Sequence, residues 1–159
     1  NDANHAGFVS VRFGTVHLFY HLFESRNDPA TDPVIVWFSG GPGCSSSLAL
    51  FGENGPYSIT DDLQLQNNPH SWSSVATVVW VDQPAGTGFS HGMLAPTEDI
   101  IAEDVWDMLQ GIMSAFPQYV ERDLYLFGES YAGHYVPVIS HRVVEKNAKL
   151  AGQSSRFSL

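Results

Sequence analysis

The sequence predicts an α/β fold built on a mostly parallel sheet, with flanking helices and an N-terminal β-hairpin. Two observations carry that prediction. Three short runs, Val34–Phe38 (VIVWF), Val75–Val81 (VATVVWV) and Asp123–Phe127 (DLYLF), read as buried strands, the first continuously apolar, as expected of a strand covered on both faces. Helical periodicity then follows the second and third runs, the βα alternation of a parallel sheet.

Taken in order, GFVSVRFGTVHLFYHLFESR reads as the hairpin. Val16, Leu18, Tyr20 and Leu22 alternate with His17, Phe19, His21 and Phe23, and Gly14-Thr15 suits a two-residue type II′ turn. NDPATDP is a loop rich in turn residues. Val34–Phe38 runs into SGGPGCSS, and Val75–Val81 stops at DQPAGTGFS. A helix is predicted from Thr97, with Glu98 and Asp99 in its first turn, where the macrodipole favours acids. Its apolar face is Ile101, Val105, Met108, Leu109, Ile112 and Phe116, and Pro117 ends it. Asp123–Phe127 is predicted as a buried strand, followed by a helix turning Val136, Ile139, Val143 and Val144 inward, after which the pattern dissolves into a polar tail. No domain boundary, repeat or low-complexity tract interrupts the 159 residues.

Composition narrows the function. Hydrophobic residues make up 43% and charged residues 15%, which indicates a globular chain. Seventeen acidic against seven basic residues give a formal charge of −10, so nucleic acid is not expected as a partner. No apolar run approaches the ~20 residues of a membrane span. The chain opens NDANHAGF, without a basic or apolar leader, which fits an intracellular protein or a processed, mature start. Cys44 is the one cysteine, so no internal disulfide and no multi-thiolate metal site is expected; taken alone it reads as a small buried hydrophobe.

Chemistry concentrates at Gly128-Glu129-Ser130-Tyr131-Ala132-Gly133. A serine between a buried strand and a helix, with small residues two positions to either side, is the pattern of a nucleophile elbow; Ala132 stands where a second Gly would. The competing reading is a serine capping a helix. The second constellation, Gly40-Gly41-Pro42-Gly43, follows a strand, where glycines aim N–H groups at an anion. Gly41 and Tyr131 would supply the two oxyanion donors of an α/β-hydrolase, each worth roughly 3 kcal/mol in the transition state. No nucleotide-binding glycine motif is present.

WFSGGPGCSS, ENGP (Glu53 to Pro56), DQPAGTGFS (Asp82 to Ser90) and GESYAGHYVP (Gly128 to Pro137) occur in this order. Together they resemble the serine carboxypeptidase family, an α/β-hydrolase branch, and the resemblance runs from HAGF to about Lys146. It implies release of single residues from peptide C-termini through an acyl-enzyme on Ser130, without a cofactor or metal. It also implies a hydrogen-bonding cluster for the substrate carboxylate at Trp37, Ser39, Gly40, Glu53 and Glu129. The family usually has Asn where this chain has Ser39; a serine reaches less far and lacks the amide's second group, so a weaker grip or a bridging water is expected. Two glutamates can bind an anionic carboxylate only if a proton is shared, and clustered carboxylates raise one pKa. Outside that setting, Glu53 is an ordinary loop acid and Glu129 a helix-N-terminal acid.

The fold takes its acid and its histidine downstream of the serine. Here only His134 and His141 follow Ser130, and no aspartate does. His134 lies one turn along the same helix, so it reads as a structural contact and His141 as a helix-face residue. His5, His17, His21, His70 and His91 are assigned to strands or loops, with no H-x-x-x-H helix pair for a metal. Residues 1–159 therefore resemble the N-terminal part of a serine carboxypeptidase domain, the nucleophile and oxyanion-hole portion, incomplete in this chain. The catalytic Asp and His are expected on a missing C-terminal segment or a second chain. The resemblance also implies a long-range or interchain disulfide at Cys44 and a secretory-pathway location, vacuolar, lysosomal or extracellular. Two other functions fit the residues. One is an acyltransferase or hydroxynitrile lyase on the same scaffold, although acyltransferase relatives commonly carry Asp where Glu129 stands. The other is an inactive fragment with a binding role.

Overall fold

A computed structural model of the chain describes residues 4–150. Within them, β1 (Asn4–Val11) and β2 (Val16–Phe23) form the hairpin, and β3 (Val34–Phe38) is the first central strand. A short helix α1 (Ser47–Gly52) and a small hairpin of β4 (Tyr57–Ile59) and β5 (Leu65–Asn67) follow. Then come β6 (Thr77–Val81), β7 (His91–Gly92), α2 (Glu98–Ala115), β8 (Leu124–Gly128) and α3 (Ala132–Lys149).

The main sheet has the order β1-β2-β6-β3-β8, with β7 added beside β2. It is mixed. β3 runs parallel to both β6 (Val34↔Thr77 through Phe38↔Val81) and β8 (Val34↔Leu124 through Phe38↔Gly128). The hairpin joins β6 antiparallel (Tyr20↔Val81) and extends the sheet on one side. β3, β6 and β8 therefore end at one rim, the side of an open α/β sheet where ligands bind.

The strand period of two divides the core between the faces. Val34, Val36, Phe38, Val79 and Val81 point to a layer made by α2 and α3. Trp37, Val78, Trp80 and Phe23 point the other way, against Ala49 and Leu50 of α1. The helix at 98–115 forms as its periodicity predicts. The Thr97 hydroxyl caps it by accepting from Ile100 N–H, and Ile101, Val105, Met108, Leu109 and Ile112 are buried. Buried aliphatic side chains of this kind contribute roughly 1.5–3 kcal/mol each.

Several expectations are corrected. The hairpin is closed by the four residues Arg12–Thr15, not a two-residue type II′ turn. Arg12, Phe13 and Gly14 all take positive φ (48°, 57° and 81°), and Thr15 N–H donates to Arg12 O at 3.2 Å. Asp104 of α2 is the cause: its buried carboxylate accepts from Arg12 Nε at 2.9 Å and also pairs with the guanidinium end, so the turn is shaped by an ion pair. The strand at 124–128 is half covered rather than buried, because it lies at the edge of the sheet. It pairs only with β3 among the described residues, leaving Tyr125 and Phe127 exposed. Val75 precedes β6 and is exposed, as is Val144, while Tyr135 takes the inward position on α3 that Val144 was expected to share. α3 continues to Lys149, so the expected polar tail begins later than predicted and its remainder lies outside the described residues.

One buried acid ties the rim together. Asp82, directly after β6 and 2% exposed, accepts from Ser45 Oγ (2.7 Å), Ser46 N–H (2.9 Å) and Phe89 N–H (3.0 Å). Asp82→Ala leaves these donors unsatisfied, and a loss of about 3 kcal/mol of stability is expected, read as a lower urea midpoint at unchanged m-value.

Candidate active site

The site is built from three loops that leave the parallel strands at the same rim. β8 delivers Glu129 and Ser130. Ser130 is exposed and sits at φ 58°, the left-handed region, which costs a non-glycine residue roughly 1–3 kcal/mol and persists only when neighbours over-determine it. The tightness of this turn explains its small residues. A Cβ on Gly128 would lie 2.5 Å from Ala132 Cβ and 3.1 Å from Phe38 O, so the strand can enter the turn only as glycine. Ala132, wholly buried, fills the space that a second glycine would leave, whereas a Cβ on Gly133 would meet nothing within 4 Å. The helix-cap alternative finds no support: α3 shows no side-chain cap hydrogen bond at its N-terminus.

β3 delivers the glycine loop, which lies directly under the elbow. Glu129 N–H donates to Phe38 O at 3.2 Å. A Cβ on Gly40 would stand 2.5 Å from Tyr131 N, 2.7 Å from Glu129 O and 2.9 Å from Ser130 Cβ, so backbone meets backbone here with no room for a side chain. Gly41 follows at φ 112° and enters Pro42 through a cis peptide bond. β6 contributes the support: Ser46 Oγ donates to Val81 O at 2.6 Å and receives Ser39 N–H at 3.1 Å, and Asp82 holds Ser45 and Ser46 from below.

The residues expected around the substrate carboxylate fall into connected groups. Trp37 is buried and its indole N–H donates to Ser39 Oγ at 3.2 Å, so the hydroxyl in place of the usual Asn is already engaged as an acceptor. Gly40 is packed against the elbow, as above. Glu53 caps the end of α1, with its N–H on Ala49 O at 3.0 Å, and lines a cavity of about 330 Å³ with Phe51, Tyr57 and Asn67. Partial burial, and after it the Glu129 carboxylate, push the Glu53 carboxyl above the ordinary glutamate range. The Glu53 carboxyl, at the end of α1, thus feels the Glu129 carboxylate of the elbow across the rim.

Other assignments are resolved directly. Cys44 is exposed rather than a small buried hydrophobe, beside the glycine loop, with its N–H on Gly40 O at 3.0 Å. His134 is exposed and stacks on the Tyr131 ring (4.7 Å, 27°), in keeping with a structural contact, and His141 is an exposed residue of α3. His5, His17 and His21 lie in the hairpin, His91 in β7 and His70 in a loop. Sequence reasoning assigned no role to Asp82 or to Asn54. Asn54 Oδ1 accepts from the buried Trp80 Nε1 at 2.9 Å and its backbone C=O from Trp72 N–H at 3.0 Å, so it fixes the segment that carries Glu53. For Asp82 a signal exists: an acid directly after a buried strand lies close to the core and, once buried, needs donors, which the nearby Ser-Ser and Gly-rich loops supply. A larger cavity, about 730 Å³, lies elsewhere, between the hairpin turn and α2 beside Phe13, Leu94 and Asp104.

Residues 1–158 match the family model described as serine carboxypeptidase. The chain is 48% identical over 151 residues to serine carboxypeptidase S10 family member 1 of Dictyostelium discoideum, covering 92% of this chain and 36% of that protein. It is 44% identical over 154 residues to serine carboxypeptidase-like 47 of Arabidopsis thaliana, covering 94% and 30%. Among solved structures it superposes on a prohormone-processing carboxypeptidase from Saccharomyces cerevisiae with a TM-score of 0.88 and 29% identity, covering 98% of this chain and 37% of that one. The chain therefore spans about a third of the length of the curated relatives it matches.

The raised Glu53 pKa has a pH signature. Because its folded pKa lies above the unfolded value, the protonated carboxyl favours the fold, and that contribution is present at acid pH and lost as pH rises from the ordinary glutamate range through the raised value. Glu53→Gln is expected to match the parent's urea midpoint at acid pH and exceed it at neutral pH.

Proposed function

This chain belongs to the serine carboxypeptidase family, and on that basis we propose that it is the nucleophile-bearing part of a serine-type carboxypeptidase that removes single residues from peptide C-termini. The observation that carries this reading is Ser130 at φ 58° on an exposed strand-to-helix turn, with the Gly40 backbone packed against Tyr131 N. Ser130 Oγ attacks the last peptide carbonyl and loses its proton to a general base. The carbonyl oxygen becomes an oxyanion that accepts from the N–H groups of Gly41 and Tyr131. The C–N bond then breaks, the released amine takes the proton, and water hydrolyses the ester on Ser130.

Selection of the chain end rests on Glu53 and Glu129. A carboxylate entering beside them is bound only if one of the pair is protonated, since three like charges repel. The raised Glu53 pKa supports Glu53 as that donor, with Trp37, Ser39 and Gly40 completing the cluster. Binding of C-terminal carboxylates is therefore strongest at acid pH, which suits a vacuolar, lysosomal or extracellular location. Ser39, whose Oγ accepts from the Trp37 indole, has a single O–H to donate to the carboxylate, where an amide offers two N–H groups, and so holds it less firmly.

The base, a histidine with its aspartate, comes from a further segment or chain. The open edge of β8, flanked by exposed Tyr125 and Phe127, is where additional strands of that segment pair, because an unpaired apolar edge is otherwise a liability. In this reading Cys44, which is exposed beside the glycine loop, forms a disulfide to the same segment.

A fluorophosphonate probe tests the reading, because it labels serines activated by a base. The chain alone is expected to stay unlabelled, and the chain joined to its remaining segment to label at Ser130, with no labelling after Ser130→Ala. Gly40→Ala, which crowds Tyr131 N, is expected to slow that labelling by about 10²-fold, the scale of one lost oxyanion donor. Rapid labelling of the chain alone would place the base within these residues. No labelling in either state would leave a binding role, and turnover of a sugar ester but not of a blocked dipeptide would make it an acyltransferase.

A further inference from the structure

The elbow is held from two directions. From the sheet, Phe38 O receives Glu129 N–H and the Gly40 backbone packs against Tyr131 N. From the helix layer, the Tyr131 hydroxyl donates to Glu98 Oε1 at 2.8 Å, across 33 positions of sequence. The other contacts of the Tyr131 ring do not do the same work. Its stack on His134 and its edge contact with Tyr135 (5.1 Å, 69°) are both to residues of α3, so they move with the helix that Ser130 opens. Glu98 belongs to α2, which is packed on β1 and α3. A strained residue keeps its backbone only while its surroundings over-determine it, so a tether to a second element bears directly on Ser130.

We propose that Glu98 is a positioning residue for the nucleophile: its carboxylate anchors the Tyr131 hydroxyl to α2 and so holds the Tyr131 N–H and the Ser130 turn in the geometry of attack. This rests on the reading of Ser130 as nucleophile and Tyr131 N–H as oxyanion donor. Glu98 also pushes the Tyr131 phenol above its ordinary pKa, which keeps the hydroxyl protonated as a donor. A competing role for Glu98 is electrostatic, as an acid in the first turn of α2. Asp99 shares that role, with its side chain 81% exposed and directed at Arg142 rather than at Tyr131, and so serves as the control.

The test compares variants in the chain joined to its remaining segment. Glu98→Leu and Tyr131→Phe are each expected to slow fluorophosphonate labelling of Ser130 by about tenfold, and the double variant to be no slower than either, because both remove one hydrogen bond. With a blocked dipeptide the loss appears in kcat and not in KM. Glu98→Gln, whose amide oxygen still accepts from the phenol, is expected to retain at least about half the parent rate, and Asp99→Asn the whole of it. Labelling at the parent rate in Glu98→Leu, or an equal loss in Glu98→Gln, would overturn the proposal. A second measurement does not depend on chemistry at the serine. Amide hydrogen exchange across residues 129–133 is expected to be several-fold faster in Glu98→Leu and parent-like in Glu98→Gln. If the parent never labels, the nucleophile reading fails, and exchange still decides on Glu98: unchanged protection in Glu98→Leu refutes it.

Discussion

The rim of this sheet depends on a buried carboxylate. Asp82 is nearly inaccessible, yet it is surrounded by donors from two loops, Ser45 and Ser46 on one side and Phe89 on the other. Burying an acid is costly unless every lone pair is used, and here that requirement fixes the spacing of both loops. The same knot extends through Ser90, whose hydroxyl donates to Asp82 O and accepts Phe19 N–H, and so reaches the hairpin. With the loop after β3 immobilised in this way, its glycines are pressed beneath the elbow rather than left to wander.

The elbow then shows how strain is distributed. Ser130 takes a backbone conformation that it would not hold alone, and each neighbour is shaped to allow it. Gly128 and Gly40 give up their side chains so that three segments of backbone can converge, and Ala132 closes the gap behind them. Tyr131 spans the distance to α2. A serine held in this way is exposed at the rim in one defined backbone conformation, which the proposed attack requires.

Electrostatics at the rim work in the opposite sense. Asp82 has its donors, whereas Glu53 faces partial burial and a second carboxylate, and its proton is held more tightly as a result. One acid has its oxygens filled by donors and the other holds its proton more tightly, and the difference lies in their surroundings. The edge of the sheet differs again: β8 pairs with β3 alone among the described residues, and its Tyr125 and Phe127 stay exposed.

The sequence alone determined the α/β class, the three parallel strands, the helix at 98–115 and the elbow at Ser130. Each of these rests on local rules: continuous apolar runs, a 3.6-residue period with a Thr cap, and small residues around a turn. The resemblance to the family's motifs points to Trp37, Ser39, Gly40, Glu53 and Glu129 as the proposed carboxylate cluster. Tertiary structure decided what depends on neighbours distant in sequence. Strand order left DLYLF at an edge, so an apolar run that reads as buried is half exposed. The Arg12–Asp104 ion pair, 92 residues apart, replaced a simple glycine turn with three left-handed residues. Val144 lost its inward place to Tyr135 because helix rotation against the sheet is set by packing and not by period alone. The partners of Asp82, the electrostatic contact between Glu53 and Glu129, and the bond from Tyr131 to Glu98 join segments that no local pattern connects. They exist only once the strands place three loop ends at one rim.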